Sequence, residues 1–304
     1  MSAAAPRPRL LLVGGGGGLV GRATLAELGS GWAVRSVHRH RVPREEEAGV
    51  EWVPADISAI RDWRTLLEGV DVVLNLAWYR SGPESRFRRL YEGLHRMLEA
   101  AGHASVRRVL QVSVPPAPEH LESTLPYLQY KRRFDHEVVA SGLSYRIVRP
   151  TMLFGPRDVL LTVMLREIDR YPFFPMFGDG RFHVSPVAVA DLARLLRREA
   201  DGTDSGTTDV GGPARYEYRE LTDLLFRAVG KRPRYWRLSP SGSLRFASVL
   251  QAIGSSRLYR YEVEWLMSDR LGLPPYSGLD RPLTTVESFL HDEVGRRRRR
   301  PSDG

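Results

Sequence analysis

The stretch Leu10-Leu11-Leu12-Val13-Gly14-Gly15-Gly16-Gly17-Gly18-Leu19-Val20-Gly21 decides how the chain is read. Apolar residues of strand length run into a block of glycines, and helical spacing begins at Leu19 and continues to Leu28. Within the block, Gly15, Gly18 and Gly21 stand at G-x-x-G-x-x-G spacing. A buried strand that turns this sharply into a helix needs positions without side chains. The N–H groups at the helix start then stay open to an anion, which the helix dipole also favours. A diphosphate meets that demand, so the three glycines, with Leu19 and Val20 opening the helix, are read as dinucleotide contacts. Glycine spacing by itself is a weak signal. The strand before it and the helix after it supply the context.

Working outward, strand-length apolar runs at 9–13, 32–37, 50–53, 72–76, 109–114 and 145–148 alternate with helical patterns at 62–67, 86–101 and 134–140. That alternation predicts βαβ units: an α/β fold, a Rossmann-type doubly wound parallel sheet, with a small, mostly helical C-terminal substrate lobe. The strand before Arg149-Pro150 stops there because proline cannot continue a ladder. Further on, 160–169, 187–198 and 218–230 read as helices, 172–175 as a rigid aromatic loop, 207–210 as a short strand, and 235–266 as a Tyr/Trp/Arg-rich region. The expected division is a NAD(P)-binding domain over 1–154, with 183–212 returning to it. Residues 155–182 and 213–292 form the substrate lobe, and 293–304 a disordered basic tail.

The end of the second strand bears on which dinucleotide is bound. Sites for NAD place an acid there for the ribose 2′-hydroxyl. This chain reads Arg35-Ser36-Val37-His38-Arg39-His40-Arg41, with no carboxylate before Glu45. A carboxylate would repel a 2′-phosphate, whereas a guanidinium grips it bidentately. Arg39 is the candidate, helped by Arg41 or His38. NADP(H) is therefore favoured, with NAD(H) left open.

Several motifs in order then resemble the extended and atypical short-chain dehydrogenase/reductase superfamily over about residues 9 to 290. The likeness is to its NAD(P)-dependent epimerase/dehydratase-like branch, which includes NDUFA-nine-like complex I accessory subunits and NmrA-like proteins. Gly15, Gly18 and Gly21 match its glycine motif, and Ala55-Asp56-Ile57 is similar to the segment whose acid contacts the adenine amino group. Asn75-Leu76-Ala77 resembles the segment under the adenine ribose. Tyr127-Leu128-Gln129-Tyr130-Lys131 resembles the Y-x-x-x-K pair, and Val148-Arg149-Pro150-Thr151 opens a run similar to the extended family's RPxxxxGP. Asp191 resembles the acid of a conserved-type helix start. The resemblance implies that Asp56, Ile57, Leu76, Ala77, Lys131, Pro150 and Thr151 join the cofactor contacts, and that a hydroxyl near the fifth strand orients a substrate carbonyl.

The Tyr127/Lys131 pair also has a reading of its own. At i and i+4 on a helix the two side chains share a face. A phenol titrates near ~10, and a neighbouring ammonium lowers that value, so Tyr127 could give a proton to a carbonyl oxygen or take it back. Lys131 would also hold the nicotinamide ribose. Two departures weigh against catalysis. The hydroxyl position falls on Val114, one residue after Ser113, so Ser113 serves only if the loop slips. Trp78 follows Ala77 where a glycine is usual, putting bulk near the cofactor.

In the lobe, Trp78, Tyr79, Phe154, Phe173, Phe174, Met176 and Phe177, with Arg157 and His183, are candidates to line a small-molecule site, although aromatics at such spacing are more often core. The chain of 304 residues is 42% hydrophobic and 27% charged, as a globular enzyme is, and has no cysteine, which excludes disulfides and thiolate metal sites. No metal-ligand spacing appears, no apolar run reaches the ~18–20 residues of a membrane span, and the first residues do not read as a signal peptide, so a cytoplasmic location is expected. The net charge of +9 owes much to Arg296–Arg300, read as solvated rather than as a nucleic-acid site. A homodimer is left open. The functional expectation is an NADP(H)-dependent oxidoreductase acting on a carbonyl or alcohol by hydride transfer. The alternative is a non-catalytic NAD(P)H-binding regulatory or accessory subunit.

Overall fold

The computed structural model describes residues 7–39, 49–158, 160–253 and 258–299. In chain order the strands are β1 (Arg9–Val13), β2 (Ala33–His38), β3 (Val50–Pro54), β4 (Val72–Asn75), β5 (Arg108–Val112), β6 (Ser144–Pro150) and β7 (Leu153–Phe154). They continue with β8 (Phe174–Phe177), β9 (His183–Val184), β10 (Val187–Ala188), β11 (Gly206–Val210), β12 (Tyr216–Glu217) and β13 (Tyr235–Leu238). The helices are α1 (Leu19–Leu28), α2 (Arg64–Leu67), α3 (Glu84–His103), α4 (Glu119–Thr124), α5 (Pro126–Ala140) and α6 (Leu161–Arg170). After them come α7 (Val189–Asp201), α8 (Tyr218–Ala228), α9 (Pro240–Ala252), α10 (Arg260–Leu266) and α11 (Val286–Arg299).

Seven strands form one sheet in the order β11-β6-β5-β4-β1-β2-β3, and the pairs from β6 through β3 are parallel. Helices cover both faces of such a sheet, which is why Leu10 to Val13 and Val72 to Leu74 are continuous apolar runs with exposures of at most 1%. β3 lies at the edge and has no fully buried residue, with Glu51 and Pro54 exposed. α3 shows the other period: Phe87, Leu90, Leu94, Met97 and Ala101 turn inward, Glu84 sits in its first turn and His103 in its last. Strand order reverses at β1, between β2 and β4, so the crevice at their carboxyl ends is where this topology places a ligand. Register aligns Val13 with both Val37 and Asn75, bringing the glycine turn level with Arg39 and with Leu76-Ala77.

Two compact units share the chain. The first comprises 1–114, 122–149 and 192–208, and the second 115–121, 150–191 and 209–304. The expected boundaries shift accordingly. The chain changes unit at Pro150 rather than 154, since Thr151 already donates to Val210 O and Ser185 O within the second unit. The return segment begins at 192 and is anchored by Arg108, whose buried guanidinium donates to Glu199 Oε2 at 3.0 Å, to Glu199 O at 2.7 Å and to Ser144 Oγ at 2.5 Å. Burying that charge is tolerable because its donors find partners.

In the second unit Phe154, Leu165, Ile168, Leu225, Phe226 and Phe289 belong to a separate apolar core. The second half of the loop expected over 172–175 is strand: Phe174–Phe177 form β8 paired with β13, because Phe174 and Met176 turn into that core while proline is tolerated in a two-stranded sheet. The basic run expected as disordered is helical as far as Arg299, arginine being a good helix former at the end of an established helix. Residues 300–304 lie outside the described ones.

Candidate functional site

A cleft of about 500 Å³ opens at the carboxyl ends of β1, β2 and β4, a volume in the range of small-molecule and cofactor sites. Its floor is the turn from Gly14 to Gly18. Gly15 has φ +69°, a left-handed conformation, and a Cβ there would stand 2.9 Å from the Leu76 Cβ. Gly21, in the first turn of α1, approaches the turn still more closely: a Cβ would meet Gly15 O at 2.1 Å. Only glycine allows the helix to start this near the strand. Gly18 caps α1 with no side chain, donating its N–H to Gly15 O at 2.8 Å. Leu19 and Val20 form the helix start, as expected, without lining the cleft.

Among the described residues the cleft wall carries Arg22, Arg39 and Arg86 against one carboxylate, Asp56. Arg39 Nε lies 3.4 Å from Asp56 Oδ2, and the same guanidinium donates to the Tyr79 hydroxyl. Arg86 stacks over the Tyr79 ring at 3.9 Å. Burial opposes the charge on Asp56, but the Ser58 hydroxyl and N–H and the Arg39 guanidinium hold its carboxyl below the ordinary range. Ile57, Leu76 and Ala77 complete the apolar lining. Ala77 N–H is fixed by Asn75 Oδ1 at 3.0 Å. His38 lines the cleft as well, while Arg41 lies outside the described residues.

Trp78 joins this cleft to α5. Its ring lines the cleft, its indole N–H donates to Tyr127 O at 3.3 Å, and the Lys131 ammonium sits 4.6 Å from the ring centre. Tyr127 and Lys131 therefore occupy one face of α5 beside the cleft's end, and the Tyr127 ring meets Phe87 edge-on at 6.4 Å. Pro126 starts the helix at a position whose N–H would be unpaired in any case. Lys131 is buried and donates to Val112 O at 3.1 Å. Burial pulls its ammonium down to about 8, with Asp135 resisting and Arg132 assisting.

Asp135, which sequence reading passed over, organises the rest. It stands four residues after Lys131 on the same face, so the Tyr127–Lys131–Asp135 spacing was a readable signal. The buried Ser113 Oγ donates to Asp135 Oδ2 at 2.5 Å, and Gln111 Nε2 to Oδ1 at 3.3 Å. Gln111 Oε1 in turn accepts from Asn75 Nδ2 at 2.8 Å. Arg132 adds contacts to Val114 O at 2.8 Å and to Glu122. The Ser113 hydroxyl proton is thus committed to Asp135. Arg22 and Arg86 were also missed as cleft residues; the first follows the third glycine directly, the second lies in the first turn of α3.

Pro150 and Thr151 belong to the second unit, where Thr151 Oγ1 donates to Ser185 O at 2.5 Å. Of the lobe residues, Phe154, Phe174, Met176 and Phe177 are core, exposed by 6% or less, and His183 Nδ1 pairs with Asp269 at 2.8 Å. Trp78 and Tyr79 line the glycine-floored cleft.

A family model described as NAD(P)H-binding matches residues 15–167, half of the chain, and the chain belongs to that family. Mitochondrial NADH dehydrogenase [ubiquinone] 1 alpha subcomplex subunit 9 of Arabidopsis thaliana is 28% identical over 144 residues, 46% of this chain but only 35% of that protein. Ceramide reductase of Caulobacter vibrioides is 26% identical over 253 residues, 81% of this chain and 78% of that one. Among solved structures, the Bordetella bronchiseptica enzyme WbmH in complex with NAD+ superposes with a TM-score of 0.68 over 95% of this chain and 98% of that chain, at 17% identity, a likeness of fold.

Proposed function

We propose that the protein is an NADP(H)-dependent oxidoreductase acting on a carbonyl compound or the corresponding alcohol. The observation that carries this reading is Trp78, which lines the glycine-floored cleft and touches both Tyr127 and Lys131. The residues fit a dinucleotide. The Gly15–Gly21 cradle has no room for a Cβ, the first-turn amides of α1 suit a diphosphate, and the three arginines that face one aspartate among the described lining residues suit an additional phosphate. Arg39 would hold the 2′-phosphate, and Asp56, Ile57, Leu76 and Ala77 would hold the adenosine. When bound, the nicotinamide supplies or accepts hydride.

The chain's own part is proton handling at one atom. Tyr127 Oη gives its proton to the nascent alkoxide in reduction and recovers it in the reverse direction. Lys131 favours the phenolate electrostatically, and its ammonium, brought down to about 8, titrates close to working pH. Asp135 keeps Lys131 charged and restrains Ser113, so Ser113 is a positioning group on this reading. The reductase relative names the substrate class to try first, a long-chain carbonyl or amide-bearing lipid.

A second reading, an accessory subunit that needs the dinucleotide for stability, is favoured by one observation: the Ser113 proton points to Asp135, and Val114 offers no hydroxyl. Turnover assays with NADPH on long-chain ketones, in wild type and Tyr127→Phe, separate the two. Equal behaviour of both proteins on every substrate, with NADPH bound, establishes the second.

A further inference from the structure

The second unit exposes an apolar surface that the cofactor site does not use. Among the described residues the large apolar side chains most open to water are six, and five belong to this unit: Tyr171, Phe173, Trp236, Val249 and Ile253. Trp236, Val249 and Ile253 are 56%, 60% and 74% exposed. Scattered apolar residues mean little, but these are gathered. β13 runs parallel to β8 with Trp236 opposite Pro175, and Phe173 continues the same alternation outward while Phe174 is buried. The Trp236 ring meets Phe246 of α9 edge-on at 5.8 Å. Val249 and Ile253 follow Phe246 by three and seven residues, on the same helix face.

Along the chain, this segment carries charge of one sign. No aspartate or glutamate occurs from Leu224 to Tyr261, whereas 224–253 holds Arg227, Lys231, Arg232, Arg234, Arg237 and Arg245. Lys231 is taken up by Ile168 O and Asp169. Arg232, Arg234 and Arg245 are exposed; Arg234 shares the outward alternation of Trp236, and Arg245 precedes Val249 by one helical turn. Trp and Phe at the surface, aliphatic side chains between them and arginines around them match the headgroup region of an anionic bilayer. A nucleic acid would use the arginines and Trp236 but gains nothing from exposed Val249 and Ile253. A second copy docked two-fold on this face would set the same arginines against themselves.

We propose that this face seats the protein on an anionic phospholipid surface, with Trp236, Val249 and Ile253 entering the headgroup layer and Arg232, Arg234 and Arg245 meeting lipid phosphates. No helix among the described residues is long and apolar enough to cross a membrane, so the attachment is peripheral. The assignment stands apart from the cofactor reading.

Vesicle co-sedimentation of the full chain tests it, comparing phosphatidylglycerol/phosphatidylcholine vesicles with phosphatidylcholine alone at about 0.15 M salt. Binding to the anionic vesicles is expected to be at least ~10-fold stronger, and to fall at least ~10-fold in Val249→Glu/Ile253→Glu and again in Arg234→Glu/Arg245→Glu. Ile253→Ser, a milder change at an exposed site, is expected to weaken binding with an unchanged melting temperature. Equal binding to both vesicle types, none to either, or full binding by the Val249/Ile253 variant overturns the proposal. So does a concentration-dependent dimer that Ile253→Ser dissociates, or competition by single-stranded DNA for the same residues.

Discussion

The cleft beyond β1 and the polar cluster on α5 are both expected to serve one reaction, yet they are built from different material. The cleft floor is backbone: glycines too close to Leu76 and to one another to carry a side chain, with open amides at a helix start. The α5 cluster is side chains, buried and mutually hydrogen-bonded from Asn75 through Gln111 and Asp135 to Ser113. A backbone device constrains sequence locally and tolerates few substitutes. A side-chain network can be rewired at any member, which is how a serine expected to orient substrate comes to be held by an aspartate. Binding is therefore fixed more tightly than chemistry.

Breaking the backbone side should have the largest effect. Gly21→Val places a side chain where Gly15 O already stands, so the turn cannot close; overpacking of this kind costs about 1–3 kcal/mol or more, with NADPH binding lost altogether. Fluorescence titration with NADPH together with a thermal melt reads both. On the α5 side, Tyr127→Phe should lower turnover about 10²–10⁴-fold with NADPH affinity unchanged, since the hydroxyl acts on the proton alone. A residual rate within threefold of wild type would remove Tyr127 from the chemistry.

The difference between the two regions also governs how far each could be read beforehand. The glycine turn, the strands on either side of it and the place of Arg39 at the end of the second strand were legible because period, turn chemistry and spacing are local properties. Tyr127 and Lys131 were legible as a pair. Asp135 was not, although it shares their face, because an aspartate in mid-helix ordinarily reads as solvated, and its partners Gln111 and Ser113 lie on another element. Trp78 was read as an obstruction; only packing shows that it ties β4's end to α5. β8 was hidden behind prolines that a two-stranded sheet accepts. Arg108, a charge buried by Glu199 about ninety residues away, left no local trace.

Two smaller effects sharpen the contrast. Asp135→Asn removes the charge that resists Lys131's loss of its proton, so the folded ammonium drops further below about 8. The alkaline limb of the pH–rate profile, where activity is lost as Lys131 deprotonates, should therefore move to lower pH, and stability should fall by about 1–3 kcal/mol as Ser113 loses a charged partner. A limb that stays in place would detach Lys131 from the reaction. Arg39→Ala should weaken NADPH by about 10-fold, the worth of one charge-assisted contact, while leaving NADH nearly unchanged, as competition binding would report. Ser113→Ala should change turnover least, within about threefold, because its proton already faces Asp135.

Calorimetric titration of the full chain with NADPH and then NADH tests the central claim most directly. Saturable heat at one site per chain, with NADPH the tighter ligand, is the predicted result. No heat from either nucleotide, or equal heat from both that survives Gly21→Val, would contradict it.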